Sequence, residues 1–292
     1  MVSQQLRDRL SSLRRGQVQP ASGHTARSRP APRGHSELSR CFPEGAVRNT
    51  PRGQLFVCEF SLRQVHSHAD RLVAAYVDSF RKAAARAGDD TFPPHLEALT
   101  RVLPEDAALI DTETAGFHGR PLFLAGLARY RHPDLIITQY FARDYAEEAA
   151  LLGELAALLP DLRLLISFNG KAFDWPFIKD RMVYHRISCQ TDFAHADLLH
   201  PSRRRWRARL PNCKLQTLER YLSGRWRSGD IPSAEIPQRY HDFVRAQDAR
   251  LIAPIFHHNR LDLITMVELL AALVGESDPT RLDPPPVGEG ST

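Results

Sequence analysis

The sequence predicts an α/β fold in which a mixed β-sheet is flanked by helices. Three observations lead to this prediction. The chain has 292 residues, of which 42% are hydrophobic, so it can bury a sizeable core. Apolar runs of strand length come first, and strand and helix patterns then alternate. The C-terminal third carries helical patterns only.

Each predicted strand is a short apolar run of the length that strands usually have. These runs lie at about residues 54–60, 107–112, 121–130, 134–141 and 162–168. The second, third and fourth runs are separated by short connections. They are therefore expected to form an antiparallel meander.

Helices are predicted where apolar residues recur every three or four positions. Val65 to Ala87 carries this pattern, with Leu72, Tyr76 and Phe80 among its apolar positions. Further helices are predicted at about residues 145–159, from Asp174 onward, and at about 214–223, 236–247 and 258–274.

Both ends of the chain are predicted to be disordered. Residues 1–52 are rich in Arg, Ser, Pro, Gly and Gln, and residues 276–292 have little apolar content. Such segments bury too little surface to offset their loss of conformational entropy. Between them we expect a strand and helix lead-in over residues 53–103 and a main domain over residues 104–275. The basic N-terminal arm could contact nucleic acid, but a solvated tail is the favoured interpretation.

Composition limits the classes of function. The net charge of +5 and the pI near 9.2 come mainly from arginine, which suits phosphate recognition, although a coding bias towards arginine would give the same balance. The four cysteines form no CxxC pair, which argues against a disulfide scaffold and favours a reducing cytoplasm. No stretch approaches about 18 uninterrupted apolar residues, so no membrane span is expected.

Two carboxylates end the apolar run that begins at Ala107. Asp111 and Glu113 are separated by one residue, and alternate residues of a strand share a face. Like charges side by side at the edge of a core repel one another and lose hydration. Either a divalent metal or a shared proton would account for the pair.

Two further aspartates begin or lie in predicted helices. Asp174 follows the strand at 162–168 and a turn that contains Gly170, so by itself it reads as a common helix N-cap. Asp262 lies among apolar residues near the start of the last helix. His258 precedes Asp262 by four positions and shares its helical face, whereas His257 precedes it by five.

Together these motifs resemble those of the DEDD exonucleases, which belong to the ribonuclease H-like superfamily. The resemblance rests on Asp111-x-Glu113, then Asn169-x-x-x-Phe173-Asp174, then a histidine before Asp262. Within the superfamily the chain resembles the YprB-like branch. That branch is further suggested by three segments: Phe168 to Pro176, Asp197 to Pro201, and Gly229 to Pro237.

The resemblance implies a ribonuclease H-like fold with a mixed five-stranded sheet flanked by helices. It also implies that Asp111, Glu113, Asp174 and Asp262 hold two Mg²⁺ or Mn²⁺ ions. Oxygen donors without cysteine select such hard cations. A histidine would act as the general base on the attacking water. His258 has the spacing of the tyrosine subgroup and His257 that of the histidine subgroup, and His258 is slightly favoured.

A second set of residues is predicted to contact a single-stranded or frayed DNA or RNA substrate. Thr112, Asn169, Lys171 and Phe173 belong to it because they lie within the motifs. A basic run with an interleaved tryptophan can neutralise phosphates and stack a base. This run supplies Arg203, Arg204, Arg205 and Trp206. A solvated charged loop anchored by the tryptophan is an equally weighted alternative.

The leading hypothesis is therefore a metal-dependent nuclease that hydrolyses phosphodiester bonds, of the DEDD 3′-5′ exonuclease type. The alternative is a nucleic-acid-binding ribonuclease H-like module without catalysis. A third possibility is an interaction protein whose basic tail recruits a partner. Retention of all four carboxylates favours the first hypothesis, because unpaired buried charges are costly.

Overall fold

The computed structural model describes residues 34–116, 119–189, 191–227 and 229–275. Its strands are β1 (Gly45–Thr50), β2 (Gly53–Ser61), β3 (Ala107–Thr114), β4 (Leu122–Arg131), β5 (Asp134–Phe141), β6 (Leu164–Ser167) and β7 (Ala194–Asp197). Its α-helices are α1 (Gly34–Cys41), α2 (Leu62–Val65), α3 (Ala69–Ala84), α4 (Glu148–Leu158), α5 (Asp174–Tyr184), α6 (Leu199–Trp206), α7 (Leu215–Ser223), α8 (Ile236–Ala246) and α9 (Ala253–Val274).

The strands form one mixed sheet in the order β1-β2-β5-β4-β3-β6-β7. β3, β6 and β7 run parallel to one another, and every other pair of neighbours is antiparallel. The meander of β3, β4 and β5 is confirmed, and so is the α/β class with flanking helices. The described residues form a seven-stranded sheet, so the expected number of five is wrong.

The two additional strands have sequences with little apolar content. β1 reads Gly-Ala-Val-Arg-Asn-Thr, and it pairs along its whole length with the apolar strand β2. β7 has only four residues and pairs with β6. Their order comes from hydrogen bonds to apolar neighbours, which a pattern within one segment does not reveal. The prediction of disorder is therefore wrong for residues 34–52, which hold α1 and β1.

The other predicted disordered residues, 1–33 and 276–292, lie outside the described residues. The predicted lead-in over residues 53–103 contributes β2 to the same sheet as the main domain. Helices cover the sheet on both sides of its centre: α9 packs on β3 and β4, and α4 packs on β2 and β4.

The last helix is longer than its predicted span of 258–274. It begins at Ala253 with Pro254 in its first turn, a position where the missing N–H costs no hydrogen bond. Asp262 and the histidines before it therefore lie inside the helix, where their backbone is fixed. No helix among the described residues is long and apolar enough to cross a membrane.

Candidate active site

The end of β3 carries two half-buried carboxylates. Ala107–Ile110 is buried at the centre of the sheet, and Asp111 and Glu113 follow on one face of the strand. The register between β3 and β4 shifts between Glu113 and Thr114. Such an irregularity re-aims side chains where a strand ends.

Asp174 reaches the same end of the sheet. β6 lies beside β3 and parallel to it, and the loop after β6 leads into α5, whose first residue is Asp174. Thr112 Oγ1 donates a hydrogen bond to Asp174 Oδ1 at 2.5 Å, which joins β3 to the start of α5. Thr112 is predicted from the sequence to contact nucleic acid, whereas in the structure its hydroxyl group binds the Asp174 carboxylate.

Asp262 approaches from α9, and the four predicted carboxylates interact electrostatically. We call Asp111, Glu113, Asp174 and Asp262 the acidic cluster. Burial raises the pKa of Asp111 well above its ordinary value, and the negative charges of Asp262, Glu113 and Asp174 raise it further. Burial, then Asp262 and Asp174, raise the pKa of Glu113 well above its ordinary value. Burial also raises the pKa of Asp174 to about 6.

The chemistry of the acidic cluster fits a hard divalent cation. Its members are all carboxylates, and a bound cation would relieve the repulsion that raises their pKa values. Within the described residues, no group of three or more His, Cys, Asp or Glu side chains is positioned to hold a metal ion.

Asp262 is paired with Arg227, a nearly buried residue from the connection between α7 and α8. Arg227 Nη2 donates to Asp262 Oδ1 at 2.6 Å. The same guanidinium pairs with the buried Glu219 and lies 3.3 Å from Asp230 Oδ2. Burial alone would lower the pKa of Arg227, but Asp262 and Glu219 raise it above its ordinary value. A positively charged guanidinium therefore contacts one member of the acidic cluster.

Of the two predicted histidines, only His258 contacts the acidic cluster. His258 Nδ1 lies 2.8 Å from Asp230 Oδ1, and its Nε2 lies 3.4 Å from Asp262 Oδ2. His257 is half-buried, and its Nδ1 lies 3.0 Å from Arg260 Nη2. Burial, then the charge of Arg260, lower the pKa of His257. The geometry separates two residues that sequence spacing alone left as alternatives.

Asn259 anchors Asp111 to α9, a role that the sequence did not predict. Asn259 Nδ2 donates to Asp111 Oδ2 at 2.8 Å and to its backbone oxygen at 3.1 Å, and Asn259 Oδ1 accepts from Gln139 Nε2 at 2.7 Å. Gly126 on β4 lies between Asp111 and Gln139 in register. A Cβ on Gly126 would lie 2.1 Å from Asn259 Oδ1. Glycine inside an apolar strand is the signal that could have indicated this close approach.

The loop between β6 and α5 is shaped by Asp197. Its carboxylate accepts the backbone N–H groups of Asn169 at 2.8 Å and Lys171 at 3.1 Å. Asn169 itself has a left-handed φ of 67°. These bonds leave Lys171 exposed and the ring of Phe173 66% exposed, directly before Asp174. Both side chains are therefore accessible from solvent.

The basic run at 203–206 forms part of α6 and not a loop. Trp206 is only 3% exposed and packs against Tyr221, so it cannot stack a base, and this prediction is wrong. Arg205 Nη1 donates to the backbone oxygen of Ala272 at 2.6 Å, near the end of α9. Arg203 and Arg204 are exposed and stay candidates for phosphate contact.

Comparisons with known proteins agree with this architecture. A family model of the RNase_H superfamily matches residues 108–274, more than half of the chain, and this range contains the whole acidic cluster. The Uncharacterized protein YprB of Bacillus subtilis (strain 168) is 34% identical over 164 residues, which are 54% of this chain and 40% of that protein. The match thus spans less than half of that curated relative.

Two solved structures are similar at low identity. The family B DNA polymerase of the archaeon Pyrobaculum calidifontis is 14% identical, with a TM-score of 0.45 over 57% of this chain and 24% of its own. The Nibbler EXO domain of Aedes aegypti is 16% identical, with a TM-score of 0.31 over 74% of this chain and 100% of its own. The assignment to a family rests on the match over residues 108–274 and not on these two structures.

Proposed function

The chain belongs to the RNase_H superfamily, and from this premise we propose that it is a metal-dependent nuclease. It would hydrolyse phosphodiester bonds of single-stranded or frayed DNA or RNA as a DEDD-type 3′-5′ exonuclease. The observation that carries the proposal is the acidic cluster, in which desolvation and then the neighbouring negative charges raise the pKa values of Asp111 and Glu113. Such an arrangement is costly unless it serves a ligand of opposite charge.

In this proposal Asp111, Glu113, Asp174 and Asp262 would hold two Mg²⁺ or Mn²⁺ ions. When bound, these ions would polarise the phosphodiester and lower the pKa of the attacking water. Oxygen ligands alone favour these ions over zinc. Asn259, through its bond to Asp111 Oδ2, would fix the orientation of that ligand.

His258 would take the proton of the attacking water. If its Nδ1–H donates to Asp230 Oδ1, 2.8 Å away, the lone pair of Nε2 is left to accept a proton. Asp230 would hold the imidazole in this tautomer and stabilise the imidazolium that forms. His257 would play no part in proton transfer, because its ring nitrogen faces Arg260.

Exposed side chains beside the acidic cluster would contact the substrate strand. Lys171 would pair with a phosphate, and the exposed ring of Phe173 would lie against a base or sugar. Arg203 and Arg204 would add positive charge that attracts phosphates whatever the nucleotide sequence.

Incubation with end-labelled single-stranded DNA and RNA in Mn²⁺ tests the proposal. A 5′ label should give a ladder that shortens from the 3′ end, whereas a 3′ label should be released as a mononucleotide. Asp111→Asn should abolish both products, and the exposed Asp161→Asn is a matched control that should keep them. A wild-type protein that degrades no strand, or an Asp111→Asn variant as active as wild type, would contradict the proposal.

One observation favours the second candidate, a nucleic-acid-binding module without catalysis. The Arg227 guanidinium already forms an ion pair with Asp262. A module of this kind would bind labelled strands equally in EDTA and Mn²⁺. It would also bind them unchanged after Asp111→Asn, without cleavage in any condition.

A further inference from the structure

The connection between α7 and α8 carries an exposed tryptophan next to the acidic cluster. Trp226 is 68% exposed, although an indole of this size is normally at least half-buried. The guanidinium of Arg220, from α7, lies 3.4 Å from the centroid of its ring. Arg220 therefore covers one face of the indole, and the high exposure leaves the other face in solvent.

The next residue places this pair close to the acidic cluster. Arg227 follows Trp226 directly and reaches Asp262 Oδ1 at 2.6 Å. Trp226 and Arg227 both line a cavity of about 280 Å³. Its walls include Arg220, Trp226, Arg227, Asp230 and Pro232. An indole, a guanidinium and a cleft of this size together could receive one planar ring with its phosphate.

The charges along the cavity point to an anionic ligand. Arg227 pairs with Asp262 and Glu219, and Arg225 pairs with Glu219 and Glu268. Within the described residues, the side chain of Arg220 has no carboxylate partner, and its guanidinium lies over the ring of Trp226. Arg220 thus supplies a positive charge that a phosphate can pair with directly.

We propose that Trp226 and Arg220 form a subsite for one unpaired nucleotide of a nucleic-acid strand that enters the acidic cluster. The base stacks on the open face of Trp226, and Arg220 binds the adjacent phosphate. A base within a duplex is already stacked on both faces, so this subsite accepts single strands. This subsite rests on the proposed function in one respect: the strand that it binds is the strand that the acidic cluster would cleave.

Binding of fluorescently labelled (dT)15 and (rU)15 in EDTA, where cleavage is suppressed, tests the subsite. Trp226→Ala should raise Kd about 5- to 150-fold, the range expected for loss of one base–aromatic stack. Trp226→Phe should retain most of the affinity, because it keeps an aromatic face. Arg220→Gln should weaken binding and reduce the salt dependence of Kd by about one phosphate contact. A blunt duplex should bind more weakly, with no effect of Trp226→Ala.

Tyr184 provides a matched control. It is 69% exposed, and the guanidinium of Arg181 lies 4.3 Å from its ring centroid, but it belongs to α5 and has no part in the cavity. Tyr184→Ala should bind both strands within twofold of wild type. If Trp226→Ala also stays within twofold, or if both alanine variants lose affinity equally, the subsite does not exist.

The two proposals fail in different ways. If wild type cuts strands but Trp226→Ala leaves Kd unchanged, the nuclease proposal stands and the subsite is refuted. If wild type cuts nothing but its Kd depends on Trp226, the subsite stands and the nuclease proposal is refuted. Where cleavage occurs, Trp226→Ala should raise KM while kcat changes less than about threefold, because the stack is the same before and during the reaction.

Discussion

Replacing Gly126 by alanine would put a methyl group where the side chain of Asn259 now lies. The new Cβ would be 2.1 Å from Asn259 Oδ1 and 2.8 Å from its Cγ. Asn259 is fully buried and bonded to Gln139 and Asp111. Two responses are therefore open to the protein: Asn259 leaves its position, or α9 shifts away from β4.

The structure allows the cost of each response to be compared. Moving Asn259 breaks two bonds worth about 1 kcal/mol each and one bond to a carboxylate worth about 2 kcal/mol, a loss of about 4 kcal/mol. Shifting a packed helix to relieve one extra methyl group costs about 1–3 kcal/mol. The cheaper response decides the outcome. We expect Gly126→Ala to lower the free energy of unfolding by about 1–3 kcal/mol.

Urea unfolding of four proteins measures this effect and its origin: wild type, Gly126→Ala, Asn259→Ala and the double variant. Asn259→Ala removes the atom that the new methyl group strikes. Gly126→Ala should then cost almost nothing in that background, giving a coupling energy of about −1 to −3 kcal/mol. Additive losses in the double variant, or a single Gly126→Ala loss below about 0.5 kcal/mol, would refute the reasoning.

Gly153→Ala is the control for a glycine substitution as such. Gly153 lies in α4, and the atoms nearest to its added Cβ would belong to the side chain of Arg52, with Cδ at 3.0 Å. That chain is flexible and can move aside. Alanine is also favoured over glycine in a helix by up to about 1 kcal/mol, so this variant should be as stable as wild type or more stable.

Three further predictions concern the carboxylates. In EDTA, Asp111→Asn should melt at a higher temperature than wild type, because the substitution removes the repulsion between Asp111 and the other carboxylates of the acidic cluster. In a thermal-shift assay, Mn²⁺ should no longer raise the melting temperature of this variant. The pKa of Asp174 is raised to about 6, so its contribution to metal-free stability is full below about pH 4 and is lost as the pH rises through 6. When urea unfolding is measured from pH 4 to 7, the free energy of unfolding of Asp174→Asn should therefore fall less with rising pH than that of wild type. Asp230→Asn should lower kcat about 10- to 100-fold, because it weakens the hydrogen bond that orients the His258 ring.

Each of these predictions has a contrary result. An Asp111→Asn protein that melts below wild type in EDTA would show that the hydrogen bonds of Asp111 outweigh its repulsion from the other carboxylates. Parallel pH profiles of wild type and Asp174→Asn would place the pKa of Asp174 near its ordinary value. A rise in KM at unchanged kcat after Asp230→Asn would indicate a role in binding and not in orienting His258.

The elements that sequence predicted well are those whose signals are local. An apolar run that ends in two carboxylates identifies β3, and Pro176 after Asp174 indicates where α5 begins. Periodicity over residues 65–87 located α3, although its ends differ by several residues. In each case the residues that stabilise the element lie within the element itself.

The features that sequence missed depend on partners far away in the chain. Arg227 and Asp262 are 35 residues apart, and Asn259 and Asp111 are 148 apart. No pattern within one segment indicates that such residues meet. The prediction that Trp206 stacks a base was wrong for the same reason, because Trp206 packs against Tyr221, which lies in another helix.

The long-range contacts also give three members of the acidic cluster hydrogen-bond donors from other parts of the chain. Asp262 accepts a hydrogen bond from Arg227, Asp174 accepts one from Thr112, and Asp111 accepts one from Asn259. One oxygen of each of these three carboxylates is therefore bonded to a protein donor. Buried polar groups take such partners when nothing stronger is present. In the proposed nuclease, a cation bound at the other carboxylate oxygens would leave these hydrogen bonds in place, whereas a cation bound at the accepting oxygens would have to displace or share the donors. Its affinity would then depend on Arg227, Thr112 and Asn259 as well as on the four carboxylates.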